Sequence, residues 1–206
     1  MPHAILRFAK RKGGPATAIE QHHERKKQRY GSNPDIDHTR TKDNYHLIAP
    51  RLKYYGEIQT RIEQAKKQNP RCKVRKDSVK FIDTIVTASP EFFDAMSPQE
   101  IRRYFEHALE FLKREAGEGN IFSAVVHMDG RNPHMHLCFV PLTEDNRLSA
   151  KEVIGSRDKL VQWQDRFHDH MATFFPPSNG ESPPPSLSEN TSPPGCSNRP
   201  TASAGR

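Results

Sequence analysis

Cysteine is scarce in this chain. Cys72, Cys138 and Cys196 stand far apart and are odd in number, which argues against a disulfide framework and against a cysteine-built zinc site. Cys138 sits in an apolar run and reads as core, not as a catalytic thiol. Long apolar runs are missing as well. No stretch reaches the roughly 18 residues of a membrane-spanning helix. The opening MPHAILRFAKRKGG has an apolar segment too short for a secretory signal, with its charges behind that segment. A cytoplasmic protein without a membrane segment is therefore expected. No glycine-rich, phosphate-cradling loop is present, so chemistry driven by a nucleoside triphosphate is not expected. Only 33% of the 206 residues are hydrophobic, and the mean hydropathy is −0.87, so part of the chain is not expected to pack. Positive charge is plentiful. Thirty-two Lys and Arg against 25 Asp and Glu give +7, with a pI near 9.4. That balance favours a polyanionic partner, nucleic acid or a membrane surface, though many basic proteins bind neither.

The most informative stretch is residues 124–141, AVVHMDGRNPHMHLCFVP. Two apolar runs, residues 121–126 and 137–140, flank Asp129-Gly130-Arg131-Asn132-Pro133. Apolar runs around such a turn predict a β-hairpin. The hairpin returns His127 beside His134 and His136. Alternate strand residues share a face, so His134 and His136 project together while Met135 points away. One histidine at a strand end is usually an ordinary polar residue. Three within ten positions, two of them as His-x-His, point to metal ligands, because neutral imidazole is a common donor to divalent ions. Three protein ligands leave open positions, as a catalytic centre requires.

The rest of the chain supplies a scaffold. Residues 4–8 predict a first strand. Thr17-x-x-Glu20 has the pattern of a capping box, predicting a mostly exposed helix to about residue 28. Ser32-Asn33-Pro34-Asp35-Ile36-Asp37 reads as a polar loop with an Asx-type turn. Asp35 and Asp37 there are candidates for orienting a ligand histidine. Tyr55, Ile58, Ile62 and Ala65 mark one face of a helix over residues 52–67. Arg71, Lys73, Arg75 and Lys76 crowd the segment ahead of a strand at residues 79–87. A charge run is often only a solvated loop; before a strand, in a basic protein, phosphate contacts are the preferred reading. Ser97-Pro98-Gln99-Glu100 opens a helix with Ser at the N-cap, Pro at N1 and Glu at N3. Its apolar stripe runs to about residue 115 and ends at glycine. A last helix covers residues 157–174, with Trp163 at the core edge. His107, His168 and His170 read as surface residues. Beyond it, residues 176–206 hold 8 of the 17 prolines and 7 serines, too polar to offset the entropy of ordering. A domain over residues 1–175 and a disordered tail over 176–206 are expected. The tail's charges cancel, so the +7 belongs to the domain. The fold class expected is α+β, an antiparallel sheet with flanking helices on one side.

His127-x-Asp129-x-x-x-Pro133-His134-Met135-His136-Leu137 resembles the metal motif of the Mob/Pre (MobV-type) plasmid mobilisation relaxases, members of the HUH endonucleases. Further similar blocks follow the same order: His-x-Glu24-Arg25, Ser32-Asn33-x-Asp35-Ile36 with Arg40 and Asn44-Tyr45, and Arg75-Lys76-Asp77. The resemblance covers about residues 1–175, the N-terminal relaxase domain, and the tail departs from it. It implies the HUH fold, an antiparallel sheet whose central strands carry the histidines. It implies Mn²⁺ or Mg²⁺ on His127, His134 and His136. It also implies a nucleophilic histidine, which alignment on Glu24-Arg25 places at His22, with His23 its neighbour; Tyr30 and Tyr45 are alternative nucleophiles. Arg25 would contact a phosphate oxygen, and Arg40, Arg71, Lys73, Arg75, Lys76 and Tyr45 would contact DNA. The family usually has Glu directly after the Asp, where this chain has Gly130; Asp129 is the candidate to substitute.

The implied function is metal-dependent, strand-specific nicking at a plasmid transfer origin through a covalent 5′-phosphate intermediate. Conjugation-apparatus proteins would be further partners. An origin-binding protein with impaired catalysis is the alternative, motivated by Gly130 and the divergent tail. An unrelated three-histidine metalloenzyme acting on small molecules is disfavoured by the basic blocks.

Overall fold

The computed structural model describes residues 4–14, 16–27 and 36–176. Tyr30, Asp35 and residues 177–206 of the expected tail lie outside the described residues. The strands are β1 (Ile5–Arg11), β2 (Tyr45–Ile48), β3 (Phe81–Thr87), β4 (Ile121–His127) and β5 (His134–Phe139). They form one sheet in the order β1-β3-β5-β4-β2, and every neighbouring pair is antiparallel. The main helices are α1 (Ala16–His23), α2 (Tyr54–Gln68), α3 (Pro90–Asp94), α4 (Pro98–Ala116), α5 (Ala150–Val153) and α6 (Arg157–Phe174).

Strand alternation sorts the side chains. Ile82 and Val86 of β3, Ala124 and Val126 of β4, and Met135, Leu137 and Phe139 of β5 join one core with α4 and α6. Phe81, Phe122 and Cys138 project to the other face, where they pack with Tyr54, Ile58, Ile62 and Ala65 of α2 and Ala16 of α1. Helices therefore cover both faces, not one as expected. The polar composition of α1 hides the reason: its inward residues are Ala16, Glu20 and His23, and only one of these is apolar.

α4 follows the expected pattern. The Ser97 hydroxyl accepts from Glu100 N, and the Glu100 carboxylate accepts from Ser97 N, closing the capping box. Eight of its residues are buried, Tyr104, Phe105, Phe111 and Leu112 among them. Full burial of each large apolar side chain contributes about 1.5–3 kcal/mol. α6 runs over the expected residues, with Trp163, Phe167 and Met171 inside. Its Gln164 also covers the open edge of β1. The side-chain amide accepts from Leu6 N at 3.0 Å and donates to Ala4 O at 2.7 Å, occupying groups an edge strand otherwise exposes.

Three expectations change. In α2 the inward aromatic is Tyr54, fully buried, while Tyr55 is 60% exposed; spacings of four, four and three from Tyr54 fit the helix face better. α1 stops at His23, not near residue 28, because Arg25 adopts a left-handed φ of +48°. Thr17 lies inside α1 rather than capping it, and Glu20 instead accepts from Tyr54 N at 3.0 Å. β2 is a strand to which the sequence reading assigned no element; four residues at a sheet edge carry little apolar periodicity.

Candidate metal centre and nucleophile

The β4–β5 register sets His127 opposite His134 and Val125 opposite His136. The rings of His127, His134 and His136 gather with centroids 5.0–5.1 Å apart. Their hydrogen bonds assign the tautomers. His127 Nε2 lies 2.8 Å from His23 O, and a carbonyl can only accept, so Nε2 carries the proton and Nδ1 is bare. His134 Nδ1 lies 2.9 Å from Asn132 O, so its Nε2 is bare. These two bare nitrogens face each other at 3.3 Å. Two lone pairs at that distance repel unless a cation lies between them. Both ring nitrogens of His136 are buried without a hydrogen-bond partner. Burial first, then neighbouring charge, lowers the His127 and His136 pKa values; burial also lowers that of His134. The rings are thus neutral donors at pH 7, as a divalent metal needs. The residues present fit an imidazole-bound metal.

α1 brings two histidines to this centre by different routes. One ring nitrogen of His22 lies within 4.8 Å of one each on His127 and His136. Burial, then the nearby His23 and Arg25, pushes the His22 pKa down to about 4. His23 is 2% exposed. Its ring stacks under His136 at 4.1 Å, and its carbonyl fixes the His127 tautomer. His22 therefore faces the centre and His23 supports it from beneath.

Arg25 is placed differently from expectation. Its side chain is 4% exposed and forms a two-pronged ion pair with the fully buried Asp129, at 2.9 and 2.7 Å. Its Nη1 also donates to His22 O at 3.1 Å. The guanidinium ties the end of α1 to the hairpin turn. Asp129 likewise does not orient a histidine: it accepts from Arg25, Thr41 Oγ1 and Asn44 Nδ2. Burial alone would raise its pKa, but these donors and the Arg25 charge hold the carboxyl well below the usual range.

The carboxylate near the ligands is Asp83 of β3, which the sequence reading missed. Its Oδ1 lies 3.5 Å from His23 Nε2 and 3.8 Å from His136 Nδ1, beyond normal hydrogen-bond length. Oδ2 accepts from Arg11 at 3.0 Å. Burial would raise its pKa, but the facing imidazoles outweigh burial and lower it. The one signal in the sequence was a lone carboxylate inside the strand FIDTIVT, and nothing there tied it to the histidines.

Asp37 is exposed and caps a 3-10 turn (His38–Asp43) by accepting from Thr39 N and Oγ1; it touches no ligand histidine. Arg40 is exposed and donates to Met128 O. The Tyr45 ring lies under the Arg102 guanidinium at 4.9 Å, and burial pushes its phenol up to about 12, which disfavours it as a nucleophile. Arg71, Lys73, Arg75 and Lys76 are exposed ahead of β3. No helix among the described residues is long and apolar enough to cross a membrane.

The antiparallel sheet thus carries the His-x-His pair on its central strand β5, with His22 of α1 beside it. The relaxase domain of MobM, in a Mn-bound structure with plasmid pMV158 oriT DNA, superposes with a TM-score of 0.77 at 29% identity, covering 84% of this chain and 86% of that one. The family model for plasmid recombination enzymes (Mob_Pre) matches residues 1–188. Plasmid recombination enzyme type 1 of Staphylococcus aureus is 44% identical over 173 residues, 83% of this chain and 42% of the relative. A plasmid recombination enzyme of Bacillus thuringiensis is 36% identical over 165 residues, 80% of this chain and 36% of the relative. The chain belongs to the Mob_Pre family of plasmid recombination enzymes. It spans about two fifths of the length of the relatives it matches.

Proposed function

We propose that this chain is a relaxase that nicks one strand of plasmid DNA at a transfer origin, in plasmid mobilisation, and holds the cut end covalently on His22. One observation carries the reading: the bare nitrogens of His127 and His134 face each other at 3.3 Å, and ring nitrogens of His22, His127 and His136 lie within 4.8 Å of one another. His127, His134 and His136 would hold the metal, Mn²⁺ or Mg²⁺. Imidazole donors alone do not choose between them. When bound by His127, His134 and His136, such an ion would supply Lewis-acid polarisation of the scissile phosphate and offset the charge developed on it.

The protein's own groups do the rest. His22 is neutral at pH 7, so its ring nitrogen is available as a nucleophile. A nitrogen–phosphorus bond forms as the phosphorus bond to the 3′ oxygen breaks; that oxygen takes a proton from solvent and leaves as a 3′-hydroxyl, while the phosphorylated ring gives up its remaining N–H proton. The 5′-phosphate stays on His22, so the strand can be rejoined without ATP. Arg25 and Asp129 position His22 by fixing its backbone against the hairpin. Asp83 Oδ1 faces His136 Nδ1 at 3.8 Å, so its negative charge would favour a cation on that histidine. Arg40 and the cations at 71, 73, 75 and 76 would hold DNA through its phosphates, without reading sequence. The MobM neighbour in complex with oriT DNA supports this partner. Conjugation proteins would be later partners, in the cytoplasm.

A nicking assay tests the reading. Supercoiled plasmid with its cognate origin is mixed with the intact chain, His22→Ala or His134→Ala, in Mn²⁺ or EDTA. The expected result is a strand-specific nick and a protein–DNA adduct, lost by roughly 10³-fold or more in either variant and in EDTA. An adduct formed by His22→Ala would overturn the nucleophile. Gly130 favours a second reading, origin binding without cleavage. A Cβ there would meet His134 Cε1 at 3.4 Å and Asn132 O and His134 Nδ1 at 3.8 Å, all ordinary contacts, so the backbone leaves room for a side chain beside His134. Binding without nicking, with nicking gained in Gly130→Glu, would establish that reading.

A further inference from the structure

A second donor cluster lies beneath the histidine centre. His23, Asp83 and Cys138 each place one candidate ligand atom within 4.8 Å of the other two. Strand pairing makes this arrangement: Asp83 of β3 stands opposite Cys138 of β5, and the last residue of α1 descends on the pair. All three are buried, at 2%, 8% and 0% exposure. Cys138 Sγ lies 3.9 Å from His23 Nδ1, a weak contact. Asp83 Oδ1 is buried with no hydrogen-bond partner. An ionised oxygen left so is costly, and a bound cation would satisfy it.

The chemistry of this set differs from that of the three imidazoles above it. A thiolate is a soft ligand that selects zinc-like ions, whereas Mn²⁺ and Mg²⁺ prefer oxygen. We propose that His23, Asp83 and Cys138 form a second cation site, specific for a thiophilic divalent ion such as Zn²⁺ or Co²⁺. On binding, the Cys138 S–H bond breaks, a sulfur–metal bond forms and the proton passes to solvent; no electron is transferred. The thiolate and carboxylate together neutralise the dication, which lets it reside in a buried place. The Tyr54 hydroxyl lies beside the set, 3.3 Å from His23 Nδ1. The site shares His23 and Asp83 with the surroundings of the histidine centre, and its test reads metal binding rather than nicking.

Titration of the full chain with Co²⁺ tests it, through the near-ultraviolet charge-transfer band that only thiolate-bound Co²⁺ shows. The expected band saturates at one equivalent, survives excess Mn²⁺, disappears in Cys138→Ser and persists in His134→Ala. A variant with Cys72→Ala and Cys196→Ala, in which Cys138 is the last thiol, should keep the band; this arm stands even if Cys138→Ser fails to fold. Absence of the band in the intact chain or in that double variant would overturn the site. So would its survival in Cys138→Ser or its displacement by equimolar Mn²⁺.

Discussion

Strand β5 presents two chemistries from one backbone. Met135, Leu137 and Phe139 point into a core closed by α4 and α6, each at 0% exposure. His134, His136 and Cys138 point the other way, under α1 and α2. The first face is apolar and densely packed with aromatic rings such as Phe111, Phe167 and Trp163. The second face holds neutral imidazoles, an ionised carboxylate and several polar atoms without partners. The apolar face stabilises the sheet, and that stability lets the other face carry groups whose burial costs free energy. Period-two alternation keeps the two apart.

Substitutions on each side should separate these roles. Arg25→Ala should have the largest effect, because it acts on both properties. It leaves Asp129 charged and buried without its partner, a loss of about 3–5 kcal/mol, measured by denaturant unfolding. It also frees the end of α1, so adduct formation per folded molecule should fall. Arg25→Lys should not restore it, since Lys cannot form the two-pronged pair. Unchanged adduct yield in a folded Arg25→Ala would break the link between that clamp and His22. Phe105→Ala, on the opposite face, should cost a similar 3–5 kcal/mol but leave adduct yield per folded molecule unaltered. A specific loss of yield there would show that the two faces are coupled.

Acid should act on the site face and spare the core. His22 titrates near 4 in the folded chain, against about 6.5 when unfolded. Between those values the unfolded chain binds more protons, so stability is present above about 6.5 and is lost as pH falls toward 4. His127, His134 and His136 shift in the same direction. The melting temperature should therefore decline as pH drops through this window, and less so in His22→Ala. A melting temperature that is flat across it would mean that these rings are not held neutral by the fold.

Much of the scaffold was legible. The hairpin, the α4 capping box and the reach of α6 follow from local rules: a turn between apolar runs, a hydroxyl four residues ahead of its helix stripe, and a repeat near 3.6. The His127, His134 and His136 cluster was legible too, because the hairpin that joins them is a local structure. The part played by Asp83 was not, since it lies 53 positions before His136 and approaches it only through β3–β5 pairing.

From sequence alone came a basic α+β protein of this family, with three convergent histidines and a nucleophile at His22 or its neighbour. Each of these rests on side chains near one another along the chain or on a motif of fixed spacing. Tertiary structure decided the rest. It turned His22 to the centre and His23 beneath it. It joined Arg25 to Asp129 instead of leaving it at the surface. It set Asp83 and Cys138 side by side. These outcomes depend on how α1 and β3 lie against β5, and burial, which fixes both charge state and available partner, exists only once those elements have packed.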